Sequence, residues 1–139
     1  LITAARNAGA RVLTGGRCDG VRIAPTWLAD APDGHAVLRE EIFGPVSTIE
    51  TVDSFADALD RLRRAPAALH VAAFTRSIAH AMQVYGAADA GAVIINDSTD
   101  FRVDTMPFGG VGAAGLGREG LRFAIDDFSE KKLFVLASA

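Results

Sequence analysis

The chain has 139 residues, half of them apolar and 22% charged, with a formal net charge of −3. That length and balance describe a globular domain able to bury a core. Mild acidity gives no reason for nucleic acid as a partner, and no apolar run reaches the roughly 18 residues needed to span a membrane.

Cys18 is the single cysteine, which excludes an intrachain disulfide or a cysteine metal cluster and suits a cytoplasmic setting. No secretory signal is read at the start. Leu1-Ile2-Thr3-Ala4-Ala5-Arg6 reads like the middle of a helix, so the chain is expected to be part of a longer polypeptide.

In chain order, a helix over 1–8 is closed by Gly9 and followed by a short strand over 10–14. A second strand is expected over 21–28, with Pro25 placing it at an edge or breaking it. Residues 30–34 form a turn, and 46–51 alternate as a strand. Ser54 caps an amphipathic helix with Phe55, Ala58, Leu59 and Leu62 on one face, ended by Pro66. A short buried strand over 71–74 precedes a helix capped by Ser77 and carrying Ile78, Ala81, Met82 and Tyr85. Residues 91–95 read as an interior parallel strand. A helix is expected over 118–128, with Leu121, Phe123, Ala124 and Ile125 available for burial, and a terminal strand over 132–136. Strands alternating with helices argue for an α/β layer with a parallel sheet and flanking helices. A short apolar strand near the end of a chain is a common means of pairing with another subunit.

Two stretches carry the chemistry. The first is Glu40-Glu41-Ile42-Phe43-Gly44-Pro45-Val46. If extended, it points Glu41 and Phe43 to one side, where a carboxylate and an aromatic face can cradle a ribose and its attached ring. The bland alternative is a surface turn with the glutamates solvated and Phe43 in the core. The second is Met106-Pro107-Phe108-Gly109-Gly110, continued by Gly115-Leu116-Gly117-Arg118-Glu119-Gly120. Two glycine clusters around one Phe suggest a backbone held tightly against something. By letter the second cluster is GxGxxG, but a loop precedes it, so a tight turn into a helix near Arg118 is the better reading.

Between the two stretches lies the polar run Asn96 to Thr105, beyond a buried strand, where open α/β sheets place ligands. Arg102 can clamp an anionic substrate group, or else pair with Asp100 or Asp104 in a self-satisfied loop. Cys18 has no neighbouring His and reads as a surface thiol. His35, His70 and His80 have no metal-site spacing and read as loop or helix-surface residues.

Taken together, Glu41-Ile42-Phe43-Gly44-Pro45, the strand ending Ile95-Asn96, the Pro107–Gly110 segment with its glycine-rich continuation, and Ser129-Glu130-Lys131-Lys132 resemble the C-terminal portion of an aldehyde dehydrogenase. The resemblance covers nearly the whole chain in order and at family spacing. It implies NAD- or NADP-dependent oxidation of an aldehyde to a carboxylate, in which a cysteine thiolate attacks the aldehyde and a glutamate activates water. Carried over by motif, Glu41 and Phe43 bind the cofactor, Phe108 lines the substrate tunnel, and Phe101 and Arg102 shape the pocket. Asn96, Pro107, Gly109 and Gly110 are structural, and no metal is implied.

Residues 1–129 are then part of the catalytic domain and 130–139 an oligomerisation strand for a homodimer or tetramer. The family's nucleophile and general base match nothing here, and Cys18 does not fit the nucleophile motif, so the chain alone is expected to be inactive. Gly112-Ala113-Ala114 replaces a stretch that often carries lysine. The wording from Asn96 to Arg102 most resembles members acting on lactaldehyde or phosphonoacetaldehyde-type substrates. Two rival readings are a non-catalytic remnant acting in assembly and an anion-binding module built on the glycine loops.

Overall fold

The computed structural model describes residues 1–137, and the chain divides into two compact units, Leu1–Ala58 and Leu59–Ala139. In the first unit, helix α1 (Ile2–Asn7) ends before Gly9, whose φ of 108° a side chain would resist. A three-stranded sheet follows, in the order β1 (Arg11–Thr14), β4 (Thr26–Ala29), β5 (Val46–Ile49). β1 runs antiparallel to β4, and β5 runs parallel to it. Ala5, Ala10, Leu28, Ala31 and Val37 form the core, with Ile42 and Val46 packed against it.

The strand expected over 21–28 is broken at Pro25, whose ring cannot donate to a ladder. Ahead of it, β2 (Cys18–Asp19) and β3 (Arg22–Ile23) form a small antiparallel hairpin around Gly20-Val21. Gly20 has φ 57°, which a two-residue hairpin turn needs at its first central position. After the proline, Thr26 is fully buried and satisfied: its hydroxyl donates to the Ala24 carbonyl (2.7 Å) and accepts from the Gly16 amide (2.8 Å).

The second unit centres on β6 (Ala68–Ala73) and β7 (Ala90–Ile95), two parallel strands joined by helix α3 (Ile78–Ala87). Helix α2 (Phe55–Arg64) is capped as expected, with Ser54 Oγ accepting from the Asp57 amide at 3.1 Å. Ser77 Oγ accepts likewise from the His80 amide at 3.2 Å. α3 buries Ala81 and Val84 while Ile78, Met82 and Tyr85 stay exposed, so its inward face is turned from the expected one. β6 begins at Ala68, and Phe74 lies beyond it and exposed rather than in a buried strand. Among the described residues β7 pairs only with β6, so it is not interior in this chain.

Helix α4 (Leu121–Asp127) starts later than expected because Gly120, at φ 121°, is its N-cap. Leu121 and Ile125 face outward. The terminal strand is not formed among the described residues, where Leu133, Phe134, Val135 and Leu136 are exposed. A β-strand is held by hydrogen bonds to a neighbour, and the described residues supply none there.

Candidate functional site

The Glu40–Val46 stretch lies in the first unit. It is not extended: the Gly44 amide donates to the Ile42 carbonyl and the Val46 amide to the Gly44 carbonyl, each at 2.8 Å, bending the backbone twice. Pro45 fastens the bend to the sheet, its carbonyl accepting from the Thr26 amide at 2.8 Å. Ile42 turns into the core, whereas Glu41 and Phe43 stay outside. The bland reading fails for Phe43, which is 93% exposed. An isolated aromatic left this bare beside a free carboxylate suits a sugar-and-ring ligand.

The remaining candidates gather in the second unit. β7 ends at Asn96, whose φ of 62° is tolerated best by Asn, Asp or Gly. Its amide donates to the Ala73 carbonyl, and its Oδ1 accepts from the Thr75 amide, both at 2.8 Å. Asn96 thereby ties the end of β7 to the exit of β6 and launches the polar loop. In that loop the Ser98 amide donates to Asp97 Oδ1 (2.8 Å), the Ser98 hydroxyl donates to Asp100 Oδ1, and the Phe101 amide donates to the Ser98 carbonyl (3.2 Å). Phe101 itself remains partly exposed.

Arg102 pairs with neither Asp100 nor Asp104. Its guanidinium lies over the Phe108 ring, 4.1 Å from the centroid, and reaches Glu119 at 3.5 Å. Phe108 is fixed from behind, exchanging backbone hydrogen bonds with Glu119 (3.1 and 2.6 Å). The glycines explain how this backbone is held. A Cβ on Gly109 would stand 2.6 Å from the Gly117 carbonyl, and one on Gly91 in β7 would strike the Gly109 carbonyl. The two glycine clusters are therefore pressed against each other and against the sheet. Arg118 closes the turn, donating through Nη1 to the carbonyls of Gly110 (2.7 Å) and Gly117 (2.6 Å). With Arg118 so engaged, GxGxxG is a turn and α4 begins after it. Pro107 leads into Phe108 from the exposed side.

Leu69, His70, Thr99, Asp100, Arg102 and Phe108 line a cavity of about 410 Å³. Its charges are one guanidinium and one carboxylate, and an Asp100 oxygen is already engaged by the Ser98 hydroxyl. His70 is the residue that sequence reasoning missed. It is on β6, not on a loop or helix surface. Its Nδ1 lies 2.7 Å from the Thr99 carbonyl oxygen, and its ring meets Phe108 edge-on with centroids 5.2 Å apart. A lone histidine carries no pattern, and Thr99 stands 29 positions away, so only the fold reveals the pair.

Elsewhere, Cys18 is exposed in the β2–β3 hairpin, as a surface thiol. His35 caps a short 3-10 turn through its own ring, accepting from the Val37 amide at 3.1 Å. Among the described residues no group of three or more acidic, His or Cys side chains could hold a metal, and no helix is long and apolar enough to cross a membrane.

Comparison with known proteins decides the family. The model of the aldehyde dehydrogenase family matches residues 1–134. The chain belongs to the aldehyde dehydrogenase family. It is 37% identical over 136 residues to a lactaldehyde dehydrogenase of Methanococcus aeolicus, covering 98% of this chain and 29% of that protein. Among solved structures, aldehyde dehydrogenase 21 from Physcomitrella patens, in complex with the reaction product succinate, superposes with a TM-score of 0.90 at 35% identity, over 97% of this chain and 28% of that one. A glyceraldehyde-3-phosphate dehydrogenase from Methanocaldococcus jannaschii, complexed with NADP, gives 0.84 at 34% identity, over 93% and 28%. The chain thus spans less than a third of the length of these aldehyde dehydrogenases. Its mixed α/β architecture, with helices on parallel strands, is that of part of their catalytic chains.

Proposed function

We propose that this chain works as the C-terminal part of an NAD- or NADP-dependent aldehyde dehydrogenase that oxidises an aldehyde to a carboxylate. The observation that carries the reading is the family match over residues 1–134, joined to a cavity whose wall holds Arg102 stacked on Phe108. In this reading residues 1–129 contribute part of the catalytic domain, and 130–139 an oligomerisation strand of a homodimer or tetramer. The protein acts in the cytoplasm, on a small aldehyde, without nucleic acid or membrane.

Glu41 and Phe43 bind the nicotinamide end of the cofactor. The geometry fits: the carboxylate is open to accept hydrogen bonds from ribose hydroxyls, and the bare Phe43 ring offers a face for packing. The bound nicotinamide supplies the hydride acceptor. The solved relative holding NADP supports a nicotinamide cofactor for the complete enzyme. Phe108 and Phe101 form an apolar approach for the substrate, and Arg102 receives an anionic group at its far end. Succinate and glyceraldehyde 3-phosphate, named with two solved relatives, are anionic, whereas lactaldehyde is not. Asn96, Pro107, Gly109 and Gly110 hold the loop in place. The chain supplies no nucleophile of its own, because Cys18 sits in an exposed hairpin and lacks the family's motif. By itself it is inactive.

The test compares a short aldehyde bearing a terminal carboxylate with an uncharged aldehyde of equal length, using the enzyme that carries this chain. Arg102→Gln raises KM for the charged aldehyde about 10–100-fold, the worth of one charge-assisted hydrogen bond, and leaves the uncharged one nearly unchanged. Equal effects on both remove Arg102 from the substrate site.

A further inference from the structure

The cavity wall holds a histidine that neither packing nor the proposed chemistry accounts for. His70 Nδ1 lies 2.7 Å from the Thr99 carbonyl oxygen. A carbonyl only accepts, so Nδ1 carries the proton and donates. Nε2 is buried and has no hydrogen-bond partner among the described residues. A leucine or phenylalanine would fill the space without stranding a polar atom, so a histidine here costs stability that apolar packing would not.

The ring links a strand to the two pieces of the substrate wall. Through Nδ1 it ties β6 to Thr99, three residues before Arg102. Through its edge-on contact it braces Phe108, the ring on which the Arg102 guanidinium rests. β6 is held by its ladder to β7, whereas the loop is held mostly by its own short hydrogen bonds. A rigid strand carrying a donor into a loop is a second support that pre-sets the loop before substrate arrives.

We propose that His70 is a positioning residue for the substrate end of the site: its Nδ1–H bond to Thr99 sets the loop that carries Arg102. This rests on the reading that Arg102 and Phe108 receive the substrate. The loop position it fixes discriminates by the charge of the aldehyde's far end, so His70 acts on specificity through Arg102.

Two variants separate the ring from the donor. His70→Phe keeps a ring beside Phe108 but loses the donor. His70→Asn loses the ring but keeps a nitrogen donor one bond from Cγ, where Nδ1 stands. In the enzyme that carries this chain, His70→Phe raises KM for the carboxylate-bearing aldehyde about fivefold, the worth of one net hydrogen bond. Its kcat and its KM for the uncharged aldehyde stay near wild type, and His70→Asn restores the charged-substrate KM. Equal losses with both aldehydes, a variant Asn as impaired as Phe, or no change in His70→Phe would overturn the proposal.

Hydrogen exchange decides the same point without turnover. The Phe101 and Met106 amides, which bond to the Ser98 and Val103 carbonyls, exchange faster in His70→Phe and at the wild-type rate in His70→Asn. Unchanged exchange in His70→Phe sinks the positioning role. A wild-type enzyme that oxidises neither aldehyde sinks the functional reading, while the exchange result still decides the role of His70.

Discussion

Arg102 is a partly exposed cation held in one plane by its neighbours. Its ion pair to Glu119, at 3.5 Å with the Glu119 side chain largely exposed and that of Arg102 partly so, contributes little. The stack on Phe108 at 4.1 Å adds on the order of 0.5–1 kcal/mol and, more usefully, fixes the plane of the guanidinium. A loosely paired but oriented cation can exchange Glu119 for a ligand anion with small loss. Asp100 lowers the positive field of the cavity, so affinity for an anion depends on the fork geometry of Arg102 more than on net charge. Glu41 is the other residue whose role is directly testable. Glu41→Ala removes the acceptor proposed for the ribose hydroxyls, and KM for NAD or NADP is expected to rise about tenfold, with the aldehyde KM little altered. Steady-state kinetics with the cofactor varied checks it. At this scale Arg102 and Phe108 could be marked from their motif. His70 could not, because its partner and its orphaned Nε2 exist only once β6 faces the loop.

The elements were legible where local chemistry decides them. Ser54 and Ser77 stand before helical spacing, and both cap as their hydroxyls allow. Asn96 closes an apolar run and turns the chain at positive φ. The β2–β3 hairpin was not legible, since two-residue strands have no period to detect. The face of α3 was misjudged because Met82 and Tyr85 have the right spacing for a core that the described residues do not place there. α4 starts late because Gly117 and Gly120 take positive φ and the Glu119 backbone is paired with Phe108, a long-range demand that helix propensity does not contain. The same glycine packing yields a sharp expectation for β7. Gly91→Ala would drive a methyl into the backbone carbonyl of Gly109, with no flexible side chain there to yield. A loss of about 1–3 kcal/mol is expected in denaturant unfolding, together with weaker binding of substrate as Phe108 shifts. Unchanged stability would mean that the strand and the glycine loop are not in contact in solution.

At the scale of the whole molecule, many large apolar side chains are bare among the described residues. Phe43, Met82, Tyr85, Leu121 and the 133–136 run are all exposed. Such surface marks places where other protein or ligand sits. For the tail, the proposed occupant is the sheet edge of another subunit. Replacing Leu133 and Phe134 by Ser is expected to lower the oligomer order of the enzyme by light scattering, and an unchanged mass would remove the tail from assembly. That the fold resembles part of a catalytic chain could be read from two motifs about 65 residues apart. The occupants of the bare surfaces could not, because an exposed apolar side chain carries no sign of what covers it.

These residues are proposed to be working parts of an aldehyde-oxidising enzyme whose nucleophile they do not carry. The measurement that tests this most directly is aldehyde-dependent formation of reduced nicotinamide, followed by its ultraviolet absorbance. It is made side by side on the natural polypeptide that carries this chain and on the 139-residue chain alone. Turnover of NAD or NADP is expected from the natural polypeptide and none from the 139 residues. Reduction by the isolated chain, or none by the natural polypeptide with charged and uncharged aldehydes alike, would contradict it.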